Sequence, residues 1–175
     1  DTLACAGCVA FSNYGVTIAY TELFCRAMDY ASDLGIVVID NCEDPFLGNG
    51  GSMNESPVSG RLGLKGKPGA AETIQIARAI ELAPYLNIRV HIAHVSTRQS
   101  VELLAGAKDK GATVTAETCP NYLVLNESSV ECYNTRAKVN PPLRTPDDSA
   151  ALLQALRDGV IDSLATDHAP HAAHE

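Results

Sequence analysis

The sequence predicts an α/β fold in which a parallel sheet is covered by helices. Three observations carry this. Short, nearly continuous apolar runs alternate with longer segments of three- and four-residue apolar spacing. The apolar runs show little polar alternation, as strands buried on both faces do. Polar residues collect just after those runs rather than within them.

The elements follow in order. "GCVAFS" (7–12) reads as a strand. Segment 17–35 places Ile18, Leu23, Phe24, Ala27, Met28, Ala31 and Leu34 on one helical stripe and closes at Gly35. "IVVID" (36–40) is a buried strand, 68–86 a helix with Pro68 near its start, and "RVHIAHV" (89–95) the next strand. A helix over 96–111 opens on Ser96 or Thr97 as its cap. "ATVTAET" (112–118) is a strand. Segment 145–159 is a helix capped near Thr145 or Asp147 and ended by Gly159, and "IDSLATD" (161–167) is the last strand. Two stretches, 41–67 and 119–144, are too long for ordinary connectors, which points to function. No internal repeat or domain boundary interrupts residues 1–175, so a single domain is expected.

Bulk properties exclude several functions. The 175 residues are 46% hydrophobic and 19% charged, with net charge −8 and no basic cluster. Nucleic acid and anionic membrane surfaces are therefore not expected partners, and no apolar run is long enough to span a membrane. The six cysteines are irregularly spaced, and Cys5 and Cys8 form one CxxC without a second pair. Reduced thiols and a cytoplasmic location follow, with no four-cysteine zinc site.

The polar residues at the strand ends suggest the chemistry. Asn13 and Tyr14 follow the first strand, and Asn41, Cys42, Glu43 and Asp44 the second. His91 and His94 lie in the third strand, Glu117 ends the fourth, and Asp167 and His168 end the fifth. His91 and His94 are three apart, so regular strand geometry sends only one of them into a site. His94, nearer the C-terminal end, is the better candidate. His94 with Asp167 suits a catalytic metal, which acidifies a water and polarises a carbonyl; Asp167 could be both ligand and proton carrier. The plainer alternatives are a hydrogen-bonded core histidine and, for Asp167, a helix cap.

"ATDHAPH" (165–171), "VNPPLR" (139–144), "HIAHVST" (91–97), "NCEDP" (41–45) and "GCVAFS" (7–12), in this order and spacing, resemble dihydroorotases of the amidohydrolase superfamily. Allantoinases and hydantoinases look similar around 91–97 and 117–123. The resemblance implies a (β/α)8 TIM barrel of the metal-dependent hydrolase type. It implies zinc, one or two ions, and reversible hydrolysis of dihydroorotate to N-carbamoyl-L-aspartate in pyrimidine synthesis. His94 would be a metal ligand, Asp167 a ligand and the general acid/base, and Asn140 and His171 substrate-binding residues. Besides the small-molecule substrate, the resemblance allows a homodimer or aspartate transcarbamoylase as partner.

The chain departs from the family in three ways. A His-x-His pair expected on the family's first strand has no counterpart. About the last five β/α units are expected here, a barrel truncated at both ends, since a complete one takes roughly 250 residues. Asn41 stands where the family has a histidine ligand of the second metal, and Tyr14 where it has an acid that is a metal ligand. An amide oxygen is a poorer zinc ligand than imidazole, so the second ion is expected to be weakly held. A non-catalytic partner subunit and a related cyclic amide hydrolase remain the alternatives.

Overall fold

The computed structural model describes residues 2–13 and 17–169. Elements run α1 (Thr2–Cys5), β1 (Ala10–Ser12), α2 (Thr21–Asp33), β2 (Val37–Asn41), β3 (Met53–Asn54), α3 (Pro57–Leu62) and β4 (Gly66–Lys67). They continue with α4 (Ala70–Tyr85), β5 (Val90–Ala93), α5 (Arg98–Asp109), β6 (Val114–Thr118), α6 (Pro120–Val124), 3-10 segments Glu127–Tyr133 and Thr135–Ala137, α7 (Pro146–Arg157) and β7 (Ser163–Leu164).

Among the described residues one sheet has the order β1-β2-β5-β6-β7, and every pairing in it is parallel. Register pairs Phe11 with Val38, Ile39 with His91, Ile92 with Ala116 and Glu117 with Ser163. All the strands therefore end on one side, which gathers the residues that follow them.

Burial explains the helix spacing. Phe24 and Met28 of α2, Ile76, Ala79 and Ala83 of α4, Leu104 of α5 and Leu152 of α7 are buried. They join the core with Val38, Val90, Ile92, Val114 and Ala116 from the sheet. Each of the larger side chains, Phe24, Met28, Ile76, Leu104 and Leu152 among them, gains about 1.5–3 kcal/mol on leaving water, which is what fixes the helices to the sheet. The caps act as the sequence suggests. Thr97 Oγ1 accepts the Ser100 amide, and Thr145 forms a reciprocal capping box with Asp148. Gly35 and Gly159 leave their helices with φ of 67° and 75°, where a side chain would be strained.

The expected boundaries shift where the sheet offers no partner. Segment 7–12 is strand only from Ala10, and Val9 is exposed. Segment 161–167 has two strand residues, because β6 ends at Thr118 and leaves β7 little to pair with. Asp162 N–H to the Ala116 carbonyl and Ala165 N–H to the Thr118 carbonyl extend that ladder by one step each way.

The two long connections hold each other. The first forms a two-stranded parallel sheet, β3 with β4, around α3. Asn54 donates to Glu127 Oε2 at 2.6 Å, Arg61 pairs with Glu131 at 2.7 Å, and Tyr133 OH donates to the Leu62 carbonyl at 3.0 Å. Arg144 ties both to the sheet. Its Nη1 donates to Asn54 Oδ1 at 2.9 Å and to the Lys67 carbonyl at 2.8 Å, and its Nε donates to Ser96 Oγ at 3.1 Å. Glu72, behind it on α4, accepts from the Ser96 and Thr97 amides at 3.1 Å each, from Ser100 Oγ at 2.6 Å and from the Ser96 hydroxyl. Among the described residues no helix is long and apolar enough to cross a membrane.

Candidate metal centre

The strand ends build the site. His94 follows the last residue of β5, Cys119 follows the last residue of β6, and Asp167 lies three residues beyond β7. Because these strands run parallel in register, three residues far apart in sequence converge. One ligand atom from each of His94, Cys119 and Asp167 lies within 4.8 Å of the others. His94 Nε2 is 3.5 Å from Asp167 Oδ1. Two ligands of one tetrahedral ion stand roughly 3.5 Å apart, given metal–ligand bonds of about 2.0–2.3 Å. His94 and Asp167 stand at the spacing of two ligands of a zinc-like ion, and the Cys119 thiol lies within 4.8 Å of both.

The backbone takes a strained form here. His94 has φ of 55° and Asp167 φ of 48°. The left-handed region is uncommon for residues other than glycine, and its occupation clusters at functional sites. This also corrects the expectation that His91 and His94 face opposite ways. The chain leaves the strand at His94 with positive φ, so the alternation stops and both imidazoles reach one carboxylate. His91 Nε2 is 3.2 Å from Glu117 Oε2, and His94 Nε2 is 3.8 Å from Glu117 Oε1. Thr115 Oγ1 meets the other nitrogen of His91 at 2.8 Å.

Asn41 ends β2 with its Oδ1 3.4 Å from His94 Nδ1. Its backbone is held by Asn13, whose Oδ1 accepts the Asn41 amide at 2.8 Å while Nδ2 donates to the buried Asp40 at 2.6 Å. Burial pushes the Asp40 carboxyl up, partly offset by hydrogen bonds from Cys42 and Asn13 and by the charge of Arg78. Asn140 hydrogen-bonds Lys67, whose Nζ donates to Asn140 Oδ1 at 2.5 Å. Tyr14 and His171 lie outside the described residues, as does His174.

Cys119 is the residue that sequence reasoning missed. It is fully buried, and desolvation, then the charges of Asp167 and Glu117, push its thiol up to about 12. A buried cysteine in a sequence reads as core packing. The available signal was its place, one residue past a strand end, as for His94.

Comparison with known proteins places this geometry. A family model described as Dihydro-orotase-like matches residues 1–100. The chain belongs to the dihydro-orotase-like family. Within the family it is 52% identical over 170 residues to a dihydroorotase of Acetivibrio thermocellus, covering 97% of this chain and 40% of that protein. A dihydroorotase of Geobacter sulfurreducens matches at the same identity and coverage. The chain thus spans about 40% of the length of the curated relatives it matches. Among solved structures, a D-hydantoinase superposes with TM-score 0.78 at 27% identity, covering 94% of this chain and 38% of that one. A D-hydantoinase from a Bacillus species gives TM-score 0.81 at 25% identity, covering 97% and 40%. The family's enzymes are metal-dependent hydrolases of cyclic amides, and the parallel sheet described above is part of their (β/α)8 barrel. The mouth formed by the strand ends is where such barrels carry their active sites.

Proposed function

We propose that the protein carrying this chain is a cytoplasmic dihydroorotase of pyrimidine biosynthesis. It reversibly hydrolyses the cyclic amide of dihydroorotate to N-carbamoyl-L-aspartate with zinc. The observation that carries this is the meeting of His94 and Asp167 at 3.5 Å, at the strand ends of a chain 52% identical to a dihydroorotase. His94 and Asp167 would hold the metal, with Cys119 as the third donor within reach. When bound, it polarises the scissile carbonyl and acidifies the attacking water.

The chain's own residues do the rest. Asp167, with its side chain 30% exposed, is open enough to meet a water. Its carboxylate takes the water's proton and delivers it to the ring nitrogen as the C–N bond breaks. In the reverse direction it removes a proton from the ureido nitrogen and returns it to the departing oxygen. Glu117 holds His91 and restrains the His94 ring. Asn140 and His171 bind the substrate through its carboxylate and ring. Residues 1–175 belong to a single barrel domain of which they form a part, with a homodimer or aspartate transcarbamoylase as partner.

A second reading rests on the hydantoinase structures: a related cyclic amide hydrolase with a neutral substrate. A third rests on Asn41, which contacts His94 where a second imidazole ligand would strengthen the site: a non-catalytic partner subunit. One experiment separates them. The full-length protein is analysed for zinc and assayed with dihydroorotate, a hydantoin and allantoin, before and after chelation. Dihydroorotate turnover that disappears with the zinc is the expected result. Turnover of another ring alone moves the assignment to that enzyme. No turnover of any ring removes the catalytic reading.

A further inference from the structure

The two ring nitrogens of His94 meet different surroundings. Nε2 faces carboxylates, with Asp167 Oδ1 at 3.5 Å and Glu117 Oε1 at 3.8 Å. Nδ1 faces an amide. Asn41 Oδ1 stands 3.4 Å away, at the long limit of a hydrogen bond, and among the described residues it is the acceptor that this nitrogen has. The imidazole side chain is only 11% exposed, so water has little access to replace a protein partner.

Asn41 is held by more than its strand. Register pairs it with Ala93, the residue before His94. Both of its backbone polar groups are taken by side chains that follow β1. Asn13 Oδ1 accepts its N–H at 2.8 Å, and Thr17 Oγ1 donates to its carbonyl at 2.8 Å. Asn13 has only one way to face, because a backbone N–H only donates. It must turn its oxygen to Asn41, and its Nδ2 then donates to Asp40 Oδ1 at 2.6 Å. Asp40 is wholly buried and is itself fixed by Cys42 Sγ at 3.3 Å and by Arg78 Nη2 at 3.8 Å. The acceptor beside His94 is thus anchored to a buried polar network before any ligand arrives.

The chemistry of the ring follows from that placement. A neutral imidazole carries one N–H and one lone pair, and the partner of one nitrogen decides which is where. An amide oxygen cannot donate, so Nδ1 must carry the hydrogen that meets it. The lone pair is then on Nε2, on the side of Asp167. A metal-binding histidine commonly gives its other N–H to a carbonyl or carboxylate, which sets the ring's direction and raises its basicity.

We propose that Asn41 is a positioning residue and not a ligand: its side-chain oxygen takes Nδ1–H of His94 and commits Nε2 to a metal ion beside Asp167. The inference rests on the metal-dependent reading above. It gives Asn41 a use at the position where the resemblance expects a further imidazole.

The test uses the full-length protein, with zinc as the probe. In the zinc-loaded wild type, a nitrogen-15 spectrum of His94 shows the hydrogen on Nδ1 and the metal on Nε2. Asn41→Leu, similar in size but without an acceptor, weakens zinc binding about 10–100-fold in competition with a chelator. Asn41→Asp keeps an oxygen at the same place and restores most of the loss. Zinc on Nδ1 overturns the proposal, and the wild-type spectrum decides alone if Asn41→Leu does not fold. Unchanged zinc affinity in Asn41→Leu overturns it too, as does a loss that Asn41→Asp does not reverse. Loss of a second zinc equivalent, with the first held as tightly as before, makes Asn41 a ligand and has the same result. In each of these cases dihydroorotate turnover by the wild type leaves the hydrolase reading standing. A wild type that holds no zinc and turns over no dihydroorotate overturns both.

Discussion

Two polar clusters flank the same strand ends, and they are built differently. Glu72 and Arg144 are 3% and 5% exposed, 3.8 Å apart, and surrounded by hydrogen bonds of ordinary or short length. Among the described residues His94 meets Asn41, Asp167 and Glu117 at 3.4–3.8 Å, from a left-handed backbone. The first cluster has placed its hydrogen-bonding capacity inside the protein. The second holds its groups near one another without closing bonds between them. A buried polar group left loosely partnered costs stability, and this spacing is what the proposed metal site would require.

Substitutions at the two clusters should therefore fail in different ways. The largest effect belongs to the open cluster. Asp167→Asn in the full-length protein should lower kcat about 10²–10⁴-fold with its melting temperature nearly unchanged. Activity largely intact would remove Asp167 from the chemistry. At the closed cluster, Glu72→Ala leaves Arg144 buried without its carboxylate and should cost about 3–5 kcal/mol in denaturant unfolding. A loss below about 1 kcal/mol would mean that Arg144 finds another partner and the two clusters are less unlike than they look.

Smaller effects sharpen the contrast. Cys119→Ser should weaken cadmium binding more than manganese binding in a competition assay, because a thiolate favours the softer ion. Equal changes would leave Cys119 as packing. Asn41→His should raise zinc content per chain, since it supplies an imidazole beside His94. Unchanged content by elemental analysis would show that position 41 alone does not limit the second ion.

What was legible in the sequence follows the range of the forces involved. The helices and central strands were readable because apolar periodicity and caps such as Thr97 and Thr145 are local signals. The resemblance supplied His94 and Asp167, and the parallel sheet brings both to one end. The internal order of 41–67 and 119–144 was not readable. It depends on contacts such as Arg144 to Asn54, ninety residues apart, which no window reveals. The shared facing of His91 and His94 was hidden for another reason: one dihedral angle at His94 cancels the alternation rule. Asn140 came from the resemblance alone, and its pairing with Lys67 has no sequence signature.

The left-handed backbone at His94 and Asp167 has a practical side. Holding such angles costs about 1–3 kcal/mol per residue, and glycine would relieve it. A library of variants sorted only for survival on heating would drift toward glycine at these two positions. The same library sorted for turnover would hold the imidazole and the carboxylate in place. The two sorting schemes would disagree most sharply at these two residues, which are proposed to hold the metal.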